Sequence, residues 1–203
     1  MKGNILSDSP TSRNVAALLL AAGLSKRARP HNKLLEPAPG DPAARMIVRA
    51  SAETLLASQA HPIIVVTGHQ SKEIGDALAN LDTTFVHNPN FSSGMAGSLA
   101  VGIKAVPETA AGAIVALGDM PNLSPNTLDA LITAFAETNG HSICIPNQDG
   151  RRGNPVLFGR KYFGKLTDLS GDHGGKVIVE ANSDAVLEVV VSDPGIHVDF
   201  DTL

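Results

Sequence analysis

Tryptophan is absent from this chain, and aromatic residues together make up 3% of its 203 residues. Proteins that bind single-stranded nucleic acid stack bases on aromatic platforms, so that class is disfavoured. Positive charge is short as well: 16 Lys and Arg against 20 Asp and Glu leave a formal net charge of −4. The basic excess needed to hold a phosphate backbone is missing, although a free nucleotide requires only a few placed cations. There is a single cysteine, Cys144, inside the apolar run Ser142–Pro146. It reads as a buried structural thiol, and no disulfide can form within the chain. The seven histidines form neither an HExxH pattern nor a Cys/His cluster, which argues against zinc. The longest apolar run, Val15–Ala22, is far too short to cross a bilayer, and Met1–Asn14 lacks the apolar core of a secretory signal. The expected location is the cytoplasm, with no nucleic-acid or membrane partner.

What is present is an alternation of short apolar runs with helix-like segments. Val15–Leu20, Ile63–Thr67 and Ile114–Leu117 are rich in Val, Ile and Leu without polar alternation, as strands covered on both faces are. Thr84–His87, Ser142–Ile145, Pro155–Phe158 and Val186–Val191 are further strand candidates. Ser124 and Pro125 open a helix whose apolar stripe is Leu128, Leu131, Ile132 and Phe135. Arg45–Leu56 and Ser71–Leu81 also read as helices. The expected fold is therefore α/β: one Rossmann-like domain over residues 15–203, following a flexible segment 1–14. Its open sheet is expected to be mostly parallel, with helices on both faces.

Ligands of such sheets gather beyond the carboxyl ends of the strands. After the first run comes Ala21-Ala22-Gly23-Leu24-Ser25-Lys26-Arg27, leading on to Lys33. Small residues there expose backbone N–H groups to a triphosphate, and Arg27 and Lys33 supply positive charge where a leaving pyrophosphate becomes negative. Neither a GxxxxGK[ST] loop nor a GxGxxG turn occurs, so both familiar nucleotide cradles are missing. After Ile114–Leu117 comes Gly118-Asp119-Met120-Pro121. An acid at the end of a buried strand suits Mg²⁺, which takes carboxylate and phosphate oxygens, with helix capping as the alternative. Near the end, His197, Asp199 and Asp201 share one face of an extended segment, and spacing leaves open which acid would reach a metal. Arg151 and Arg152 lie in a glycine-bounded turn suited to an acceptor, or to solvent. Asp172 reads equally as an acceptor contact or part of the metal shell, or as the cap of a helix over 174–181.

The run Leu20-Ala21-Ala22-Gly23-Leu24-Ser25-Lys26-Arg27, with Lys33-Leu34-Leu35 after it, resembles the LAAGxSxRMG…KLL signature of MobA-like NTP transferases. It is most similar to their molybdenum cofactor cytidylyltransferase branch. Val65-Val66-Thr67-Gly68-His69, Asn88-Pro89 through Gly94-Met95 and Ser98-Leu99, Gly118-Asp119-Met120-Pro121, Gly150 through Pro155, Gly171-Asp172-His173-Gly174 and Val198 through Thr202 follow in the family's order. The resemblance implies a transferase that joins CMP from CTP to the phosphate of a molybdopterin-type acceptor and releases pyrophosphate, with a molybdoenzyme as the receiving partner. It implies Mg²⁺ on Asp119 and Asp201, with Arg27, Lys33 and Asp119 as catalytic residues. Nucleotide contacts would come from Leu20, Ala21, Ala22, Gly23, Ser25, Arg27, Lys33, Thr67, Gly68, Asn88, Ser98, Gly118 and Asp119. Acceptor contacts would come from Arg151, Arg152, Asn154 and Asp172. The pair Ala21-Ala22 points to CTP, whereas the guanylyltransferase branch carries a second glycine there.

Overall fold

The computed structural model describes residues 14–24, 32–140 and 142–200. Among these, strands β1 (Val15–Ala21), β2 (Ile63–Thr67), β3 (Thr84–His87), β4 (Gly112–Leu117), β5 (Ile143–Gln148), β6 (Arg151–Arg152), β7 (Val156–Gly159) and β8 (Val186–Val190) form one sheet. The order is β3-β2-β1-β4-β7-β5-β6, with β8 on the other side of β5. The pairs β1–β2, β1–β4, β2–β3 and β5–β8 are parallel. β7 runs antiparallel to both β4 and β5, and β6 folds back on β5. The open α/β sheet is thus parallel in its majority, with the reversed strand β7 joining its two parallel parts.

Helices α1 (Ile47–Leu56), α2 (Ser71–Ala77) and α4 (Pro125–Glu137) cover one face. On the other lie α3 (Met95–Ala105), α5 (Phe163–Thr167) and α6 (Lys176–Glu180). Along β1 the division follows the two-residue period of a strand: Val15, Ala17, Leu19 and Ala21 enter the first core, Ala16 and Leu18 the second. Both faces of a central strand are dry, which is why its sequence is apolar without alternation. α4 starts where expected, with the Ser124 hydroxyl accepting from the Asn126 N–H and proline in the first turn.

Three differences from the sequence reading have local causes. α1 begins at Ile47 rather than Arg45, because Arg45 is held upstream by Asp41, whose carboxylate accepts from both its backbone and its side chain. α2 ends at Ala77, followed by a tight turn through Leu78 to Leu81. α3 has no counterpart in the sequence reading, and its Gly102 belongs there because a Cβ would sit 2.8 Å from Val66. No helix among the described residues is long and apolar enough to cross a membrane.

Candidate active site

β1 and β4 end side by side, and the Gly118 N–H donates to the Leu20 carbonyl at 3.0 Å, extending their pairing by one residue. From behind, the Ser51 hydroxyl of α1 donates to the Gly118 carbonyl. Asp119 is thereby fixed at the rim of the sheet. Across from it, Asn32 caps a single turn of 3-10 helix, Lys33–Leu35, by accepting from the Leu34 N–H. That turn aims Lys33 at Asp119, and its ammonium lies 2.6 Å from Oδ2 with both side chains mostly buried, 17% and 13% exposed. The second carboxylate oxygen, Oδ1, is buried and has no hydrogen-bond partner among the described residues. A half-satisfied buried carboxylate is costly unless something else engages it. Capping does not account for Asp119, since Ser124 caps α4.

The facing wall is built from the loop after β3 and the start of α3. Asn88 is buried: its Oδ1 accepts from the Asn90 N–H and its amide donates to the Ser98 hydroxyl. The chain then passes through Gly94 at φ +113, a conformation closed to ordinary side chains. A Cβ there would lie 2.4 Å from the Gly171 carbonyl oxygen and 2.7 Å from Asp172 Oδ1. The Gly171 carbonyl also accepts from the Ala96 N–H in the first turn of α3. This contact carries Asp172 to the cleft, away from a capping role: α6 begins only at Lys176 and has no side-chain cap.

A third wall comes from the end of the chain. Asp193, 6% exposed, accepts from the Ser124 N–H, the Thr127 hydroxyl and the Gly195 N–H, mooring residues 193–200 on the start of α4. Asn154 N–H donates to Ile196 and Phe200 N–H to the Asp119 carbonyl. Asp199 is consequently brought into the cleft.

Together these walls enclose a cleft of about 470 Å³. Of the residues expected on the nucleotide, Leu20, Ala22, Gly23, Lys33, Ser98, Gly118 and Asp119 line it, joined by Asp172 and Asp199. Ala21, Thr67, Gly68 and Asn88 do not. Ala21 points into the first core, Thr67 is buried against β3, and a Cβ on Gly68 would lie 2.5 Å from Phe91. These four support the walls rather than forming their surface. Ser25, Arg27 and Asp201 lie outside the described residues. Leu24, Leu34, Leu117, Phe91 and Met95 add an apolar lining that sequence reasoning did not single out, because apolar residues next to apolar elements carry no chemical signal. Asp193 was missed for a different reason: only the fold brings it to Thr127.

A second cavity of about 200 Å³ adjoins the first, and Asp199 lines both. Arg152 and Asn154 line it, whereas Arg151 is exposed on β6 and lines neither. Arg152 donates through Nε to Glu188 Oε1 at 2.8 Å, and its Nη2 lies 2.7 Å from the same oxygen. The Asn147 amide donates to the other oxygen, and together amide and guanidinium hold the Glu188 carboxyl below its usual range.

A family model for the MobA-like NTP transferase domain matches residues 17–186. The chain belongs to this family. Among its curated relatives, a nicotine blue oxidoreductase of Paenarthrobacter nicotinovorans is 31% identical over 195 residues, 93% of each chain. A molybdenum cofactor cytidylyltransferase of Escherichia coli is 28% identical over 143 residues, 64% of this chain and 70% of that protein. The crystal structure of Rv0371c from Mycobacterium tuberculosis superposes with a TM-score of 0.80 at 27% identity, covering 95% of each chain. A further structure of that mycobacterial protein, a complex with manganese, gives 0.69 at 25% identity over 88% of each. As a MobA-like domain, the chain has the fold of an NTP transferase, and its own cleft lies at the strand ends.

Proposed function

We propose that this MobA-like protein transfers CMP from CTP to the phosphate of a molybdopterin-type acceptor, releasing pyrophosphate, before the cofactor passes to a molybdoenzyme. The observation that carries the reading is the Lys33–Asp119 pair at the floor of the cleft, with Asp119 Oδ1 buried and without a hydrogen-bond partner among the described residues. The E. coli relative supports the choice of CTP and of the acceptor.

An acceptor phosphate is already nucleophilic at neutral pH, so catalysis reduces to alignment and charge neutralisation. Lys33, lining the cleft, would neutralise the negative charge that accumulates on the departing pyrophosphate. Ala22 and Gly23 offer close approach to the triphosphate, and the apolar residues Leu24, Phe91 and Met95 exclude water from the nucleotide. Asp199, at the junction of the two cavities, faces both substrates.

The residues suit Mg²⁺. Among the described residues there is no cluster of three or more His, Cys, Asp or Glu, but this ion characteristically takes one or two carboxylates and completes its shell with phosphates and water. Asp119 would hold it through Oδ1, with Asp199 or Asp201 as the second carboxylate. The ion would supply neutralisation of the phosphate charge.

The test combines the purified protein with CTP, MgCl₂ and molybdenum cofactor and follows pyrophosphate. Release that depends on both substrates is the expected result; its absence with active cofactor removes the reading. A redox function is the second reading, favoured by the name and coverage of the P. nicotinovorans relative. It predicts an oxidation–reduction of an organic substrate without pyrophosphate release.

A further inference from the structure

The chain has few aromatic rings to place, six Phe, one Tyr and no Trp, and one of them fronts the main cleft. Among the residues lining that cleft, Phe91 is the one Phe, Tyr or Trp. Its ring is seated from behind. A Cβ on Gly68 would lie 2.5 Å from Phe91 Cβ, 2.8 Å from its Cγ and 2.9 Å from Ala22 Cβ, so Gly68 is bare at the point where Phe91 and the turn after β1 converge. His69 flanks the ring, with centroids 6.0 Å apart and planes tilted by 46°, and its backbone N–H donates to the Ala22 carbonyl. The single 3-10 turn Phe91–Ser93 is fixed at its start by buried Asn88, which accepts from the Asn90 N–H, and by the Ser93 N–H donating to the Asn90 carbonyl. These ties hold an aromatic ring beside Ala22, the residue that with Gly23 offers close approach to a triphosphate.

We infer that Phe91 is the platform on which the base of the nucleotide stacks, with Gly68 and His69 as the residues that position it. The inference rests on the transferase reading and assigns a further specificity-determining residue to its nucleotide half. Every base has a π-face, so stacking on a side-chain ring is tolerant of base identity. Phe91 therefore separates a base-bearing nucleotide from bare polyphosphate without choosing among bases. The distinction bears on turnover, because the departing pyrophosphate shares the phosphate contacts of CTP. Lys33 and the Ala22-Gly23 turn meet phosphate in both, whereas the ring favours the substrate alone. Gly68, expected from the sequence to touch the nucleotide, acts through Phe91 by leaving room for it.

The test is calorimetric titration of the full chain in MgCl₂ with CTP and with inorganic tripolyphosphate, which carries the phosphates without sugar or base. Phe91→Leu keeps an apolar side chain against Gly68 and removes the ring. It is expected to weaken CTP by about tenfold, the order of one stacked base, and to leave tripolyphosphate unchanged. A merely structural role would weaken both ligands alike. Phe91→Trp retains a stacking surface and should bind CTP at least as well as the parent. Because the chain has no other tryptophan, the indole emission of Phe91→Trp reports on this position alone. It should change on adding CTP and stay constant on adding tripolyphosphate. That fluorescence test stands by itself if Phe91→Leu fails to fold. Equal losses for the two ligands, undiminished CTP binding by Phe91→Leu, or indole emission indifferent to CTP would each overturn the inference and leave the transferase reading standing. Failure of the unaltered protein to bind CTP would overturn both.

Discussion

Replacing Asp119 by Asn separates charge from shape at the floor of the cleft. The amide fills the same space and retains an oxygen that can accept from Lys33, so the fold should survive. What is lost is the ionic part of a 2.6 Å pair whose side chains are 17% and 13% exposed. Exposed pairs contribute about 0–1 kcal/mol and hydrogen bonds to charged groups about 1.5–3. A mostly buried pair that keeps its acceptor should therefore cost about 1–2 kcal/mol. For a domain of this size that is a fall in Tm of roughly 2–8 °C. Turnover should suffer more. Loss of a metal-positioning charge is expected to cut kcat about 10²-fold or more, which at ~1.36 kcal/mol per tenfold is about 2.7 kcal/mol of barrier. Pyrophosphate release at saturating CTP and acceptor measures it, and raising MgCl₂ should recover part of the rate. A variant with the expected small Tm shift but near-normal turnover would refute the assignment of Asp119 to the metal.

Lys33→Ala should lower the use of CTP whichever acceptor is supplied, because the pyrophosphate is common to every productive complex; a defect confined to one acceptor would contradict this. CTP should be preferred over GTP by about 1–3 kcal/mol in kcat/KM, and equal use of the two would remove the cytidylyl assignment while keeping the transferase one. Gly94→Ala places a Cβ 2.4 Å from the Gly171 oxygen at φ +113, so it should lower Tm and raise the KM of both substrates; an unchanged variant would show that this wall yields. Burial pushes the Cys144 thiol above its ordinary pKa, opposed in part by the Ser142 hydroxyl. The native state then keeps the proton at pH values where the unfolded chain, with a thiol near ~8.5, releases it. The thiol's contribution to stability is full below that value and is lost as pH rises through the native pKa. Cys144→Ala should lessen the fall in Tm between neutral and alkaline pH, and an identical fall in both proteins would contradict it.

The parts of the fold legible in the sequence are those whose environment is uniform. β1 and β2 are dry on both faces, so every position but Thr67 at the end of β2 is apolar, and α4 carries a cap, a proline and a stripe that agree with one another. Direction is less local. The sequence of β7 reads as a strand, but nothing in Val156–Gly159 states that it runs against β4; that follows from the return of the chain through the β5–β6 hairpin. α3 was obscured because a helix that passes close to β1 and β2 needs glycine, as at Gly102, and glycine is a poor helix signal. In the site, Lys33 and Asp119 were visible because charge beside a buried strand end has few structural uses. Thr67 and Asn88 show the converse. A polar residue at a strand end can equally be a wall tie, and only the partners, Val86 and His87 for one and Ser98 for the other, tell the two apart.

The mooring of residues 193–200 by Asp193 makes the finished cleft depend on the final stage of assembly. Every strand of the sheet precedes this segment in the chain, so the strands and most of the nucleotide wall can form before Asp199 is delivered. Delivery then depends on three donors, two of them contributed by Ser124 and Thr127 some 66–69 residues earlier. A molecule caught before that step would possess a floor for the nucleotide but lack the carboxylate that borders both cavities. A finished cleft thus reports that the chain has closed on itself, a stricter condition than having formed its sheet.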